Sequence, residues 1–160
     1  MTGRVMPFLW FDGTAEEAVN FYVSIFDDAK IVNVSRYTEL GPEPEGTVMT
    51  VTFELFGNRF IALNGGSNFS FTPAVSFMVT CETQDEIDRY WDALLEGGTP
   101  LECGWITDKY GVTWQITPKL LVDLLGDEDD ERKKSVYRAM FEMTKLDIAG
   151  LEAAAALQVR

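Results

Sequence analysis

Gly104-Trp105-Ile106-Thr107-Asp108-Lys109-Tyr110-Gly111-Val112-Thr113-Trp114-Gln115-Ile116-Thr117-Pro118 reads as a β-hairpin that ends on a proline. Asp108 and Gly111 bracket a four-residue turn, with Asp at its first position and Gly at its last, as type I turns prefer. The arm that follows is β-branched and aromatic until Pro118, which has no N–H to continue a ladder. Alternation along that arm puts Thr113, Gln115 and Thr117 on one face and Val112, Trp114 and Ile116 on the other. The Trp and Ile face packs, and the Thr and Gln face is left to meet a ligand.

The chain before the hairpin repeats itself. An apolar run from Met6 to Phe11 is followed by Asp12-Gly13 and by Thr14 with Glu17, the pattern of a capping box. Ala15, Ala18, Val19, Tyr22, Ile25 and Phe26 recur at helical spacing. Residues 31–37, 48–55 and 59–64 read as strands, the last two joined at Gly57-Asn58. Past Gly65-Gly66-Ser67-Asn68 the order restarts, with a strand over residues 74–81 and a second capping box, Thr83 with Glu86. Thr83 stands 69 residues after Thr14, and the same shift lays Tyr90 and Trp91 on Phe21 and Tyr22. One register for caps and aromatic pairs predicts two copies of a βαβββ module, over residues 4–66 and 72–118. The expected class is α+β, a single domain over 1–160 closed by a helical extension at 119–160. In that extension Leu121, Leu124 and Leu125 and then Val136, Ala139, Met140 and Met143 form apolar faces, the Met-rich one read as packing. Residues 127–131 supply acids to a helix start, and Asp147 caps a last helix.

Composition narrows the chemistry. Lys and Arg number 13 against 26 Asp and Glu, a formal charge of −13 that repels nucleic-acid phosphates and anionic membranes, so no nucleic acid and no membrane is expected as a partner. No apolar run approaches a membrane span and the first residues carry no signal-peptide pattern, so the expected compartment is the cytoplasm. The chain contains no His, which removes Cys/His and Ser/His/Asp nucleophiles and every His-containing metal site. Cys81 and Cys103 lack metal spacing and read as structural thiols.

The paired modules resemble the vicinal oxygen chelate superfamily of glyoxalases, ring-cleaving dioxygenases and bleomycin resistance proteins. Residues 8–13 with Ala15-Glu16-Glu17-Ala18 and Phe21-Tyr22, the hairpin with Trp114-Gln115, and Met143-Thr144-Lys145-Leu146-Asp147-Ile148 resemble its PhnB-like branch. That branch carries the label 3-demethylubiquinone-9 3-methyltransferase. The resemblance implies a homodimer and, in the superfamily's enzymes, a divalent metal held by His, Glu or Gln inside a cup formed by each sheet. The matching positions here are Met6, Ala62, Ala74 and Gln115, and one amide does not hold a metal that wants several O or N donors. No metal and no cofactor is therefore expected.

Strand parity then suggests a pocket of Met6, Phe8 and Trp10, Phe60, Ala62 and Asn64, Ala74, Ser76 and Met78, and Thr113 and Gln115. Such a lining is mostly apolar and aromatic with a few polar groups, as small-molecule sites are. Its alternative is a filled core. Glu54, beside Thr50 and Thr52, is the strand carboxylate available as an acid or base, or is a surface Glu. The sequence thus points to a metal-free binder of an apolar or aromatic small molecule. A metal-dependent lyase, isomerase or dioxygenase, the methyltransferase of the family label, and a ligand-free dimer stand as alternatives. Against the methyltransferase, no strand runs into a glycine-rich nucleotide-binding turn.

Overall fold

A computed structural model describes residues 5–124 and 126–157, so residue 4, Leu125 and the end of the expected extension at 158–160 lie outside the described residues. The chain divides into two compact units, Met1–Phe71 and Thr72–Arg160.

The first unit runs β1 (Phe8–Phe11), α1 (Ala15–Ile25), β2 (Ala29–Arg36), β3 (Val48–Leu55) and β4 (Asn58–Asn64). Its sheet has the order β1-β4-β3-β2, with β1 parallel to β4 and the other pairs antiparallel. In the second unit β5 (Ser76–Cys81), α2 (Gln84–Leu95), β6 (Thr99–Pro100), β7 (Trp105–Thr107) and β8 (Thr113–Pro118) repeat that plan as β5-β8-β7-β6, with β5 parallel to β8. Two sheets of one topology are the repeat expected from the sequence. The shift of 69 residues carries α1 onto α2 and then fails, because the second copy compresses its last three strands into residues 99–118.

Each sheet turns one face to its helix. Ala18, Val19 and Tyr22 of α1 are fully buried, as are Val51, Phe53 and Ala62 of the sheet beneath. Ile87, Tyr90, Trp91 and Leu94 of α2 are buried with Val79, Ile106, Trp114 and Ile116. Burying side chains of this size stabilises by roughly 1.5–3 kcal/mol apiece.

The two helix starts differ, which corrects one expectation. Thr83 sits in extended backbone and forms both bonds of its capping box with Glu86. Thr14 does not. Its ψ of 11° is far from the extended value an N-cap needs, and its side chain caps nothing. The first N–H of α1, on Ala15, donates instead to Oδ1 of Asn64 at 2.9 Å, and Asn64 Nδ2 donates to the Val48 carbonyl at 3.0 Å.

Two strand starts are also later than expected. Met6 precedes β1, because Pro7 has no N–H to pair, although its carbonyl accepts from Ile61 N at 3.0 Å. Ala74 lies in a turn in which its N–H donates to Thr72 Oγ1 at 3.3 Å, so β5 starts at Ser76.

After β8 the chain continues as α3 (Lys119–Leu124), α4 (Asp130–Phe141) and α5 (Ile148–Ala156), within the second unit. Asp129 and Asp147 cap α4 and α5 as the acidic stretches suggested. Leu121, Leu124, Val136, Leu146, Leu151 and Ala154 form a hydrophobic cluster of their own. The link between α4 and α5 is tied down from two sides. Cys103 N and Gly104 N each donate at 2.8 Å, to the carbonyls of Met143 and Thr144. Gln84, first residue of α2, donates from Nε2 to Leu146 O at 3.1 Å and accepts Ile148 N at 2.9 Å. Gly104 has φ +80°, and a Cβ there would stand 2.7 Å from Leu146 and 2.8 Å from the Ile116 carbonyl, so only glycine lets the link approach.

Candidate functional site

The face of each sheet away from its helix is where a ligand would sit, and the registers decide which residues reach it. In the first unit Phe8 pairs with Ile61 and Trp10 with Leu63, while Leu9 pairs with Ala62. Paired residues share a face. Phe8 and Trp10 therefore stand with Ile61 and Leu63, and Phe60 and Ala62 turn to the helix side. Phe60 stacks on Phe53 at 5.3 Å between ring centres and Ala62 is fully buried. The expected grouping of Phe60 and Ala62 with Phe8 and Trp10 is corrected by one step of register, which flips every side chain of the strand. Asn64 is occupied as the cap of α1. Trp10 is covered: its Nε1 donates to Gly66 O at 2.7 Å and its ring meets Phe69 edge-on at 5.0 Å. Phe8 remains 56% exposed and Met6 41%.

Glu54 does face outward with Thr50 and Thr52, which pair with Leu63 and Ile61. Its carboxylate accepts from Arg59 at 2.6 and 3.1 Å and pairs with Lys30 at 3.0 Å. The Arg59 and Lys30 hydrogen bonds hold its pKa below the usual carboxylate value. A carboxylate held ionised by two cations suits an ion-pair network better than proton transfer.

In the second unit Ser76, Met78 and Thr80 lie beside Thr113, Gln115 and Thr117, and Trp105 beside Gln115. The expected group of Ser76, Met78, Thr113 and Gln115 therefore shares a face. Thr113 is buried, with its hydroxyl 3.1 Å from that of Thr107. Gln115 Nε2 donates to Ser76 Oγ at 2.7 Å, fixing the amide. Behind Gln115 opens a cavity of about 220 Å³. The sheet contributes Met78, Trp105, Gln115 and Thr117 to it, the loop contributes Cys103, and the extension contributes Leu121 and Val122 of α3 and Tyr137 and Met140 of α4. No charged side chain among the described residues lines it. Among the described residues no protein group bonds Gln115 Oε1 or the hydroxyl of Thr117, a residue only 6% exposed. No fully buried polar side-chain atom of the described residues is without a partner, so both oxygens open onto space.

Cys103 holds φ +59°, an uncommon backbone state for a side chain of any size. Burial, aided by Glu102, pushes its thiol pKa up, so it faces the cavity protonated. Cys81 is buried under α2 and its thiol is pushed up to about 12 by burial.

A larger opening of about 450 Å³ lies in the first unit at the start of α1. Asp12, Glu16 and Glu43 border it, with Arg36 as its cation, and that guanidinium already donates to Gly46 O at 3.0 Å. It is a wide, mixed-charge cleft without aromatic lining, and of the strand residues expected in a site it contains only Asn64. The smaller cavity is the better site: mostly apolar, with two unbonded oxygens.

Of the residues singled out from sequence, Met78 and Gln115 line this cavity, and Ser76 orients Gln115. Trp105 and Thr117 were within reach of the same reasoning, since hairpin pairing places one beside Gln115 and alternation places the other on its face. Tyr137 and Met140, three apart on one helix face, gave no sign of which sheet they would cover.

The superfamily's metal does not fit these residues. The second sheet's outer face offers one amide and hydroxyls, the first offers an ion-paired Glu54, and no three His, Cys, Asp or Glu converge among the described residues.

Residues 3–117 match the model of the family described as 3-demethylubiquinone-9 3-methyltransferase. A PhnB protein from Bacillus cereus carrying that same name is 46% identical, with a TM-score of 0.67 over 72% of this chain and 99% of its own. A protein from Pseudomonas aeruginosa is similar in fold at 20% identity, with a TM-score of 0.62 over 73% of this chain and 98% of its own. So is the fosfomycin resistance protein FosX from Mesorhizobium loti, at 13% identity, with a TM-score of 0.58 over 79% and 99%. No curated protein matches.

Proposed function

The chain belongs to the 3-demethylubiquinone-9 3-methyltransferase family, the PhnB-like branch of the vicinal oxygen chelate superfamily, and from that premise we propose that it binds a small, neutral, apolar or aromatic molecule in its second sheet's cavity without a metal. One observation carries the reading: the cavity behind Gln115 is lined by aromatic, aliphatic and sulfur-bearing side chains and has unbonded oxygens but no charge. An apolar ligand gains by leaving water there, and Gln115 Oε1 with Thr117 Oγ1 orients its polar end. S-adenosylmethionine is a poor occupant, because its sulfonium, ammonium and carboxylate would meet no counter-charge. A homodimer is part of the same reading, supported by β1 and β5, each at the edge of its sheet and bearing exposed Phe8 and Met78.

The test is to purify the untagged protein without chelator and measure divalent metal per chain together with co-purifying small molecules by native mass spectrometry, beside a Gln115→Ala variant. The expected result is metal well below one per chain in both proteins, and a bound organic molecule reduced in the variant. Stoichiometric metal lost on Gln115→Ala would reverse the reading in favour of a metal-dependent lyase, isomerase or dioxygenase. A light-scattering mass near 18.0 kDa would exclude the dimer.

A further inference from the structure

The cavity has two walls of different origin. One is the sheet, with Gln115, Thr117 and Met78; the other is the extension, with Tyr137 and Met140 of α4 beside Leu121 and Val122 of α3. The family match stops at residue 117, and the Bacillus cereus relative uses 99% of its length on 72% of this chain. Leu121, Val122, Tyr137 and Met140 of the second wall all lie after the residues that the family model matches.

We infer that this second wall selects the ligand: Tyr137 and Met140 set its length, and the cavity takes a neutral aromatic molecule that carries a hydroxyl at the end facing Gln115. This rests on the reading of the cavity as a ligand site and goes beyond it to the residues that discriminate. Three observations support it. A cavity of about 220 Å³ compares with the roughly 150 Å³ that accepts benzene, which scales to about nine non-hydrogen atoms, between phenol and 2-naphthol. Gln115 Oε1 is an acceptor without a donor and Thr117 Oγ1 can donate or accept, so a ligand hydroxyl satisfies both. The wall is also held in place: the link after α4 is bonded to Cys103, Gly104 and Gln84, and Ser135 of α4 donates to Ala154 O of α5 at 2.8 Å. A rigid wall discriminates by size, because an extra ring has to displace packed side chains.

The experiment measures binding of phenol, 2-naphthol and 4-phenylphenol by calorimetry to the full chain and to Tyr137→Ala, Met140→Ala and Gln115→Ala, each checked for native circular dichroism. The unsubstituted protein is expected to bind phenol and 2-naphthol, the two probes that bracket the cavity's capacity, and 4-phenylphenol at least about tenfold more weakly. Tyr137→Ala should remove or invert that gap, whereas Gln115→Ala should weaken all three probes alike. If Tyr137→Ala does not fold, Met140→Ala reads the same wall. Probes that bind with an unchanged order in the folded α4 variants overturn this inference and leave the site standing. If no probe binds any form, the reading of the cavity as a ligand site falls and this inference with it.

Discussion

Removing the Asp108 carboxylate should unlatch the hairpin that presents Gln115. Asp108 is 3% exposed; its Oδ1 accepts Tyr110 N at 2.8 Å and Val112 N at 3.0 Å, and its Oδ2 accepts Trp114 Nε1 at 2.9 Å. Val112 and Trp114 are each 2% exposed, so two of these donors have no water to turn to in Asp108→Ala. Each buried donor left without a partner costs about 1–3 kcal/mol, which gives about 2–6 kcal/mol for the variant. For a chain of 160 residues a central value near 4 kcal/mol lowers Tm by about 8–16 °C. Asp108→Asn keeps one acceptor oxygen for the two backbone N–H groups but turns an NH2 toward the indole N–H, so about 1–3 kcal/mol is expected. The assay is urea unfolding followed by tryptophan fluorescence, run as a double-mutant cycle with Trp114→Phe. The indole N–H is part of the cost, so Trp114→Phe should hurt less beside Asp108→Ala than alone, by about 1–2 kcal/mol. An Asp108→Ala protein within about 1 kcal/mol of the parent, or a cycle with no coupling, would refute the reasoning.

Four further outcomes are expected. Gly65→Ala would drive a Cβ into the Trp10 ring, which is held by its bond to Gly66 O, and should destabilise by about 1–3 kcal/mol in a melting experiment. Gln84→Ala breaks both bonds to the α4–α5 link and should speed tryptic cleavage at Lys145, seen by mass spectrometry, while circular dichroism stays close to that of the parent. Asp88 has its pKa lowered from 3.8 by the Lys145 and Gln84 hydrogen bonds. Its stabilising effect is complete above its unfolded value and disappears as pH falls through the lower folded value, so the Tm of Asp88→Asn should differ from the parent's at pH 6 and converge with it in acid as that lower value is passed. Iodoacetamide at pH 8 should leave Cys81, with its thiol at about 12, unmodified until urea unfolds the chain.

The fold was legible because its signals are periodic. Strand alternation, the Gly57-Asn58 and Asp108–Gly111 turns, and aromatic pairs in one register each describe neighbours along the chain, and the structure retains them. The candidate site was legible only along β8 and β5, where a single pairing decides what lies beside Gln115. On β1 and β4 the parallel register put Phe60 and Ala62 on the far side, since parity says which residues of one strand agree but not how two strands align. The extension's part in the cavity could not be read at all. Tyr137 and Met140 belong to a face whose spacing is that of any packed helix, and what it covers depends on ties from Gln84 and Cys103 that are 53 and 34 residues away from Tyr137 in sequence.

The unequal caps of the two helices bear on how far each helix relies on its sheet. Thr83 and Glu86 close around the first turn of α2 with atoms three residues apart, so the capping of that turn needs no group from the sheet. The first N–H of α1 waits for Asn64, 49 residues downstream, and the same Asn64 offers its carbonyl to the Tyr37 hydroxyl at 2.6 Å. Its helix start is thus completed only by the last strand of its own unit. Two modules built on one plan therefore differ in what their helix starts depend on: one is capped by its own residues, and the other by the last strand of its sheet.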